Sequence, residues 1–323
     1  MNRMNYDEFK NYIKEHIGEY LPEEYENMTM KEQPVTRSNG YTYDSLTINK
    51  ASEGSFSITP ALNLTEAFKH YEDGDTPEKV MVELARIRME APIPGGVSKD
   101  MFLSFDNVKE KIFPRLINPA TQADYISNKP NTQIADLAMI YAVRVHADKN
   151  GIAEAVIDND LMNMWNVNVE DLNAAAMENI SSQEPVFMNL EEAMFGALRG
   201  DENLEFNIDD LDINNYDVPF FLLTNQQKTK GAVMATTPKF MDKITEKLGE
   251  IYVIPSSVDE VLIVPKSVAG DPEMLANMVK QVNEDAVKPE DRLSDNVYEY
   301  DPDSQTLRVA NGPEQDEIAE MKM

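Results

Sequence analysis

The chain has 323 residues, of which 58 are acidic and 29 are basic, giving a formal net charge of −29. A charge of this sign argues against direct binding to nucleic-acid phosphates and against docking on anionic membranes. Cysteine is absent, which excludes disulfide bonds, thiolate metal ligands and cysteine nucleophiles. The sequence contains no apolar run of the roughly 20 residues that a membrane-spanning helix needs, and no secretory signal. We therefore expect a soluble, cytoplasmic protein.

The first third of the chain predicts helices around strand-like segments. Asn5 opens a capping box, and an apolar stripe follows on one helical face. Further helices are predicted to start at Thr65, at Pro77 and at Ser104, and the last of these ends at Pro114. Strands are predicted at Val35–Thr36, Tyr41–Ile48 and Ser55–Ile58.

From residue 131 onward, two strands followed by a helix recur three times. The predicted strand pairs are 137–145 with 152–158, 220–224 with 232–236, and 251–254 with 261–264; helices follow near Val169, Pro238 and Pro272. A final hairpin is predicted to pair residues 297–300 with 306–309. This order predicts an α+β fold with a mostly antiparallel sheet and an N-terminal helical and hairpin region.

These patterns divide the chain into successive regions, all of which could belong to one domain. From Glu154 to Asp217 there are sixteen acidic residues and one basic residue, Arg199, so this stretch supplies about half of the net charge. A short helix is predicted within it, at Leu190–Leu198. The regions are an N-terminal α+β region (1–130), a first strand-strand-helix unit (131–180), an acidic insertion or linker (181–217), a C-terminal α+β region (218–310) and a frayed tail (311–323).

The acidic stretch suggests a binding function. We expect a non-enzymatic module whose acidic surface docks a basic partner protein, because clustered charge steers oppositely charged partners. A sharper alternative is a nucleic-acid mimic, in which carboxylates imitate phosphates. The residues expected to meet the partner are Asp201, Glu202, Asp209, Asp210 and Asp212.

An enzymatic function is the second alternative. The loops at the ends of two neighbouring hairpins could bring together Ser256, Ser257, Asn225 and Lys266 in a hydrolase-like site. Neither G-x-S-x-G nor S-x-x-K is present there, so the sequence favours binding over catalysis.

No pattern indicates a metal or another cofactor. The histidines, His16, His70 and His146, are too widely spaced in the sequence for a metal-binding motif. A calcium-binding EF-hand loop needs glycine at its sixth position and glutamate at its twelfth, where a loop from Asp212 has Asp217 and Leu223. The turn at 148–151, aligned with Gly151 as the sixth residue, has His146 first and Ile157 twelfth, so it fails as well. We interpret these carboxylates as a solvated acidic face.

Short motifs along nearly the whole chain resemble a bacterial family of unknown function, DUF5688. They occur in the expected order: residues 5–9, 34–36, 39–40, 115–118, 136–138, 164–167, 170–172, 223–225, 231–232, 248–257 and 293–298. In that family a histidine often follows the Pro-Ser-Ser-x run, whereas Asp259 stands at this position here. The resemblance thus argues against a catalytic histidine in this loop and implies no activity, cofactor or catalytic residue.

Overall fold

The computed structural model describes residues 3–36, 42–51, 60–90, 99–148, 151–199, 208, 219–287 and 291–311. The chain divides into two compact units, Met1–Leu103 and Ser104–Met323. Among the described residues, no helix is both long enough and apolar enough to cross a membrane.

The first unit is a small antiparallel sheet packed with helices. Its strands β1 (Thr29–Thr36), β2 (Thr42–Asn49) and β3 (Leu62–Asn63) lie in that order, and its helices are α1 (Tyr6–His16), α2 (Leu64–Glu72) and α3 (Pro77–Glu90). Their apolar faces form a buried core that includes Phe9, Ile13, Leu46 and Leu84. The predicted strand at Ser55–Ile58 lies outside the described residues.

The capping box predicted at the start of α1 is confirmed. The Asn5 side chain accepts a hydrogen bond from the Glu8 backbone N–H at 3.0 Å, and the Glu8 carboxylate accepts one from the Asn5 N–H at 2.9 Å. The predicted start of α2 at Thr65 is one residue late, because Asn63 supplies the cap and Leu64 begins the helix.

Replacing Asn5 with alanine is expected to lower the free energy of unfolding of the first unit by about 1 kcal/mol, because the N–H of Glu8 loses its acceptor. Urea denaturation followed by circular dichroism measures this change. The control Asn5→Ser keeps an acceptor at the cap and should lose much less; equal losses in the two variants would contradict the capping role.

The second unit contains a four-stranded antiparallel sheet. Its strands are β4 (Ile112–Ile117), β5 (Asn131–Ile134), β6 (Leu137–Asp148) and β7 (Gly151–Val156), and β6 pairs with the other three. The helices of this region are α4 (Phe105–Val108), α5 (Ala123–Ile126), α6 (Asn159–Met164) and α7 (Val169–Ser181), and α7 packs on one face of the sheet. The hairpin predicted across the 148–151 turn is confirmed.

The helix predicted from Ser104 to Pro114 ends earlier than expected, because α4 continues only into a short 3₁₀ helix at Lys109–Lys111. Helix α4 covers four residues, and strand β4 begins at Ile112 and includes Pro114. Proline is tolerated in this strand because β4 lies at the edge of the sheet, where the missing N–H breaks no ladder.

A six-stranded antiparallel sheet occupies the rest of the second unit. Its strands are β8 (Pro185–Asn189), β9 (Phe221–Asn225), β10 (Ile251–Ile254), β11 (Val261–Pro265), β12 (Tyr298–Asp301) and β13 (Thr306–Val309), in the order β13-β12-β10-β11-β9-β8. The accompanying helices are α8 (Leu190–Arg199), α9 (Pro238–Leu248), α10 (Lys266–Ala269) and α11 (Pro272–Ala286). These antiparallel sheets and helices confirm the α+β prediction.

The strand predicted at 232–236 is wrong: Gly231–Thr236 is a 3₁₀ helix. Both edges of β9 are already paired, with β11 on one side and β8 on the other. Residues 232–236 therefore cannot pair with β9 as a further strand. Residues 185–199, which the sequence assigns to an insertion or linker, form β8 and α8. The remaining acidic interval, 200–207 and 209–218, lies outside the described residues.

Candidate functional site

Charged side chains share one face of the four-stranded sheet. In antiparallel strands, directly paired residues face the same side, and so does every second residue along a strand. Arg144 on β6 pairs with Glu154 on β7, and Arg115 on β4 pairs with Ile140, four residues before Arg144. The three charged residues therefore project from the face opposite α7, where the 3₁₀ helix Gly231–Thr236 packs against β4.

Glu154 is the centre of this charged cluster, and its side chain is only 2% exposed. The Arg115 guanidinium donates to its carboxylate through Nε and contacts it through Nη2. Two further cations approach the same carboxylate: Arg144 Nε lies 3.5 Å from Oε1, and Lys230 Nζ lies 3.8 Å from Oε2. We call these four residues the Glu154 cluster. It places three cations around one buried carboxylate.

The loop after β9 brings Lys230 to this face. Asn225 holds the loop closed, since its side-chain amide donates to the Thr229 carbonyl at 2.7 Å. Lys230 then adopts a left-handed backbone conformation with φ 54°, and its N–H donates to Asp259 Oδ1 at 2.7 Å. Gly231 follows and donates its N–H to the Asp259 carbonyl at 2.9 Å. Asp259 thereby fixes the position of Lys230.

Burial lowers the pKa values of two cations in the Glu154 cluster, Arg144 and Lys230. The pKa of Arg144 is lowered, first by desolvation, although Glu154 opposes the shift. The pKa of Lys230 is lowered by desolvation and then by the charge of Arg115, with Glu154 and Asp259 opposing. Nearby, burial and the charge of Asp259 raise the pKa of Glu260. The positive charge in this cluster is thus held at an electrostatic cost.

A cation–π contact supports Arg144 on its other side, because its guanidinium lies 3.6 Å from the centre of the Phe113 ring. Arg144 Nε is nevertheless a buried donor without a hydrogen-bond acceptor among the described residues. At 3.5 Å, its approach to Glu154 is longer than an ordinary charge-assisted hydrogen bond.

The structure brings together only part of the predicted hydrolase-like site. Asn225 ends β9, and Ser256 and Ser257 lie in the loop between β10 and β11, at the same end of the sheet. Lys266 lies at the opposite end of β11, where its Nζ donates to Glu299 at 2.7 Å. The four residues therefore do not form one site.

The two serines are held within the loop. Ser257 is buried; its hydroxyl accepts the Asp259 N–H at 3.0 Å and shares a hydrogen bond with the Glu260 carboxylate. The Ser256 carbonyl accepts the Leu293 N–H at 3.0 Å. These contacts indicate a loop-stabilising role for the Ser257 side chain and for the Ser256 backbone.

A second notable surface is the exposed side of α11. Met274, Met278 and Val282 are spaced four residues apart and are 72%, 59% and 54% exposed. Leu275 and Val279 face the core instead. We call the three exposed residues the α11 stripe.

The residues of the Glu154 cluster were not predicted as a site. The available signal was a charged residue inside each of two apolar strands, Arg144 among valines and Glu154 between alanines. The predicted partner-binding residues Asp201, Glu202, Asp209, Asp210 and Asp212 lie outside the described residues. Where residues are described, no group of three histidine or acidic side chains is positioned to hold a metal ion.

Comparison with known proteins identifies a family but no characterised relative. No curated protein and no solved structure matches the chain. A sequence profile described as a family of unknown function, DUF5688, matches residues 6–302, which include every strand except the last and every helix named above. Because this match spans most of the chain, the protein belongs to the DUF5688 family.

Proposed function

We propose that this protein is a non-enzymatic binding module that docks a basic partner protein, and that the partner presents an amphipathic helix to the α11 stripe. The observation that carries the proposal is an exposed apolar stripe on a protein with a net charge of −29. Exposed apolar surface of this kind is typical of interaction sites, and methionine adapts to varied partners.

Acidic residues bracket the α11 stripe. Asp271 precedes Met274 by three residues and Asp285 follows Val282 by three, so all five positions follow one side of the helix. An α-helix turns by about 100° per residue, so Lys280 lies about 160° around the helix from the centre of this side. Its positive charge is therefore on the opposite side of the helix from the α11 stripe. The stripe thus offers apolar contact in the middle and negative charge at both ends.

This arrangement specifies the chemistry of the partner. From Asp271 to Asp285 the helix rises about 21 Å, so a partner helix of about four turns can lie along it. Apolar residues at i, i+4 and i+8 would meet the α11 stripe, as in other recognition of amphipathic helices. Lysine or arginine near each end would meet the two aspartates and speed association.

The test uses a synthetic helical peptide with an apolar stripe and basic ends, titrated by fluorescence anisotropy. Met278→Ser is expected to weaken its binding by about fivefold or more, because central apolar contacts dominate interface energies. The matched control is Val82→Ser, which changes an equally exposed apolar residue on another helix. Unchanged affinity in Met278→Ser would contradict the assignment of the stripe.

Charge is tested separately on the same helix. Asp271→Asn keeps a capping side chain, and combined with Asp285→Asn it should reduce the salt dependence of binding. Glu284→Gln, which lies on a different side of α11, is the matched control. A scrambled peptide of equal charge separates the hypotheses: if it binds as tightly as the helical one, charge alone suffices, which supports the nucleic-acid mimic instead.

A further inference from the structure

We propose that the Glu154 cluster is a binding site for a small anion, of the class of inorganic phosphate or a phosphomonoester, which enters beside Lys230. The basis is an unbalanced set of buried charges on an otherwise strongly acidic protein. Arg115, Arg144 and Lys230 all approach Glu154, and Glu154 can neutralise only one of the three.

The other charged groups around the cluster do not restore the balance. Asp259 uses one carboxylate oxygen to accept the Lys230 N–H, and its charge acts on the Lys230 ammonium. Desolvation lowers the pKa of Lys230, and the charges of Arg115 and Arg144 lower it further, against the opposing charges of Glu154 and Asp259. A second anion beside Lys230 would relieve this excess of positive charge.

Donors in the cluster remain available for such an anion. Arg115 engages the Glu154 carboxylate closely, whereas the nearest approaches of Arg144 Nε and Lys230 Nζ are 3.5 and 3.8 Å. Arg144 Nε has no acceptor among the described residues. Guanidinium and ammonium groups are the donors that bind phosphate oxygens most strongly in proteins.

The exposure of the cluster limits the size of the ligand. The Arg115 and Arg144 side chains are 11% and 12% exposed, while the Lys230 side chain is 30% exposed and forms the rim. An extended polyanion could therefore contact Lys230 but not the two arginines. A compact dianion can approach Lys230 from solvent and bring its oxygens toward the arginine donors.

The experiment titrates the full-length protein with inorganic phosphate and, separately, with phenyl phosphate, using isothermal calorimetry in a buffer free of other dianions. Saturable binding is expected for at least one probe. Lys230→Gln should weaken it by about tenfold or more, because a charge-assisted contact is lost. The matched control, Lys228→Gln, changes an exposed lysine of the same loop and should alter affinity less than twofold.

A pH series tests the role of the Lys230 ammonium. Only the charged ammonium attracts the anion, so affinity should fall as the pH rises above about 8, where both probes are already dianions, toward the lowered pKa of Lys230. This fall should be much smaller in Lys230→Gln. A second variant, Arg144→Lys, keeps the charge and should bind phosphate more weakly than the wild type without unfolding.

The proposal is overturned if neither probe binds saturably at concentrations up to about 10 mM, which corresponds to the weakest range of specific affinities. It is also overturned if Lys230→Gln and Lys228→Gln weaken binding equally, since that result would indicate nonspecific attraction to the basic loop. Neither outcome bears on peptide binding to the α11 stripe, which is measured separately.

Discussion

Replacing Glu154 with glutamine is expected to lower the free energy of unfolding of the second unit by about 3–5 kcal/mol. The substitution preserves size and shape but removes the one carboxylate that all three cations of the cluster approach. Arg115 and Arg144 would then remain buried without a counter-charge, and glutamine would direct an amide toward one of them. Urea denaturation monitored by near-ultraviolet circular dichroism measures the loss.

The matched control for this loss is Glu299→Gln. Glu299 also contacts two cations, Lys266 and Arg308, but its side chain is 30% exposed, so its ion pairs are screened by water. The expected loss is about 1 kcal/mol or less. A loss in Glu154→Gln no greater than in this control would show that the buried charges are not held by Glu154.

A double variant separates charge balance from packing. If the damage in Glu154→Gln comes from uncompensated positive charge, adding Lys230→Met should restore part of the stability, because one of the cations is removed. In the wild-type background, Lys230→Met should have little effect or be stabilising, since burial already disfavours the charged lysine. Additive losses in the double variant would instead point to packing.

Replacing Gly231 with alanine is expected to lower the free energy of unfolding by about 1–3 kcal/mol or more. An added Cβ would lie 2.2 Å from Thr224 Oγ1, 2.6 Å from the Asp259 carbonyl oxygen and 2.7 Å from the Asn225 nitrogen. Two of these are backbone atoms, in β9 and in the β10–β11 loop, so a side-chain rotation cannot relieve the contact. The glycine is needed here for close approach between backbones.

Urea denaturation of Gly231→Ala measures this loss, and Gly18→Ala is the matched control. At Gly18 the Cβ would meet only the terminal methyl of Met28, at 3.0 Å, which can move. The control should change stability by about 0.5 kcal/mol or less, or improve it slightly. Because Gly231 adjoins Lys230, a folded Gly231→Ala protein should also bind phosphate more weakly; unaltered stability and binding would contradict the close approach.

Local signals in the sequence predicted most of the elements whose ends carry strong turn or capping chemistry. Asn5, Pro238 and Pro272 begin helices as expected, because capping side chains and N-terminal proline act within one turn. The 148–151 turn and the Pro302–Gln305 turn join hairpins as expected. These features depend on neighbouring residues alone, so they could be read without knowing the tertiary structure.

Sequence patterns are insufficient where tertiary contacts decide the local structure. The apolar run at Ala232–Thr236 fits a strand by composition, but both edges of β9 are occupied and the segment forms a 3₁₀ helix. Along α11 the apolar residues cover two adjacent sides, and composition does not indicate that Val279 faces the core and Met278 faces solvent. In both cases the deciding information comes from other parts of the chain.

The Glu154 cluster could not be assembled from the sequence for a related reason. A regular hairpin across the 148–151 turn would place Val145 opposite Glu154 and would pair Arg144 with Ala155. The register instead shifts between Arg144 and His146, so that Arg144 pairs with Glu154. This β-bulge depends on the geometry of β6 and has no marker in the sequence.

The bulge also determines where this hairpin can change in length. Val145 is the extra residue: His146 pairs with Ala153, and Arg144 pairs with the next residue, Glu154. Loss of Val145 would therefore leave a continuous ladder in which Arg144 still meets Glu154. Loss of a residue elsewhere between Arg144 and the turn would force either the turn or the pairing to shift. A deletion of one residue in this hairpin can thus be absorbed at one position without altering the charges that face the cluster.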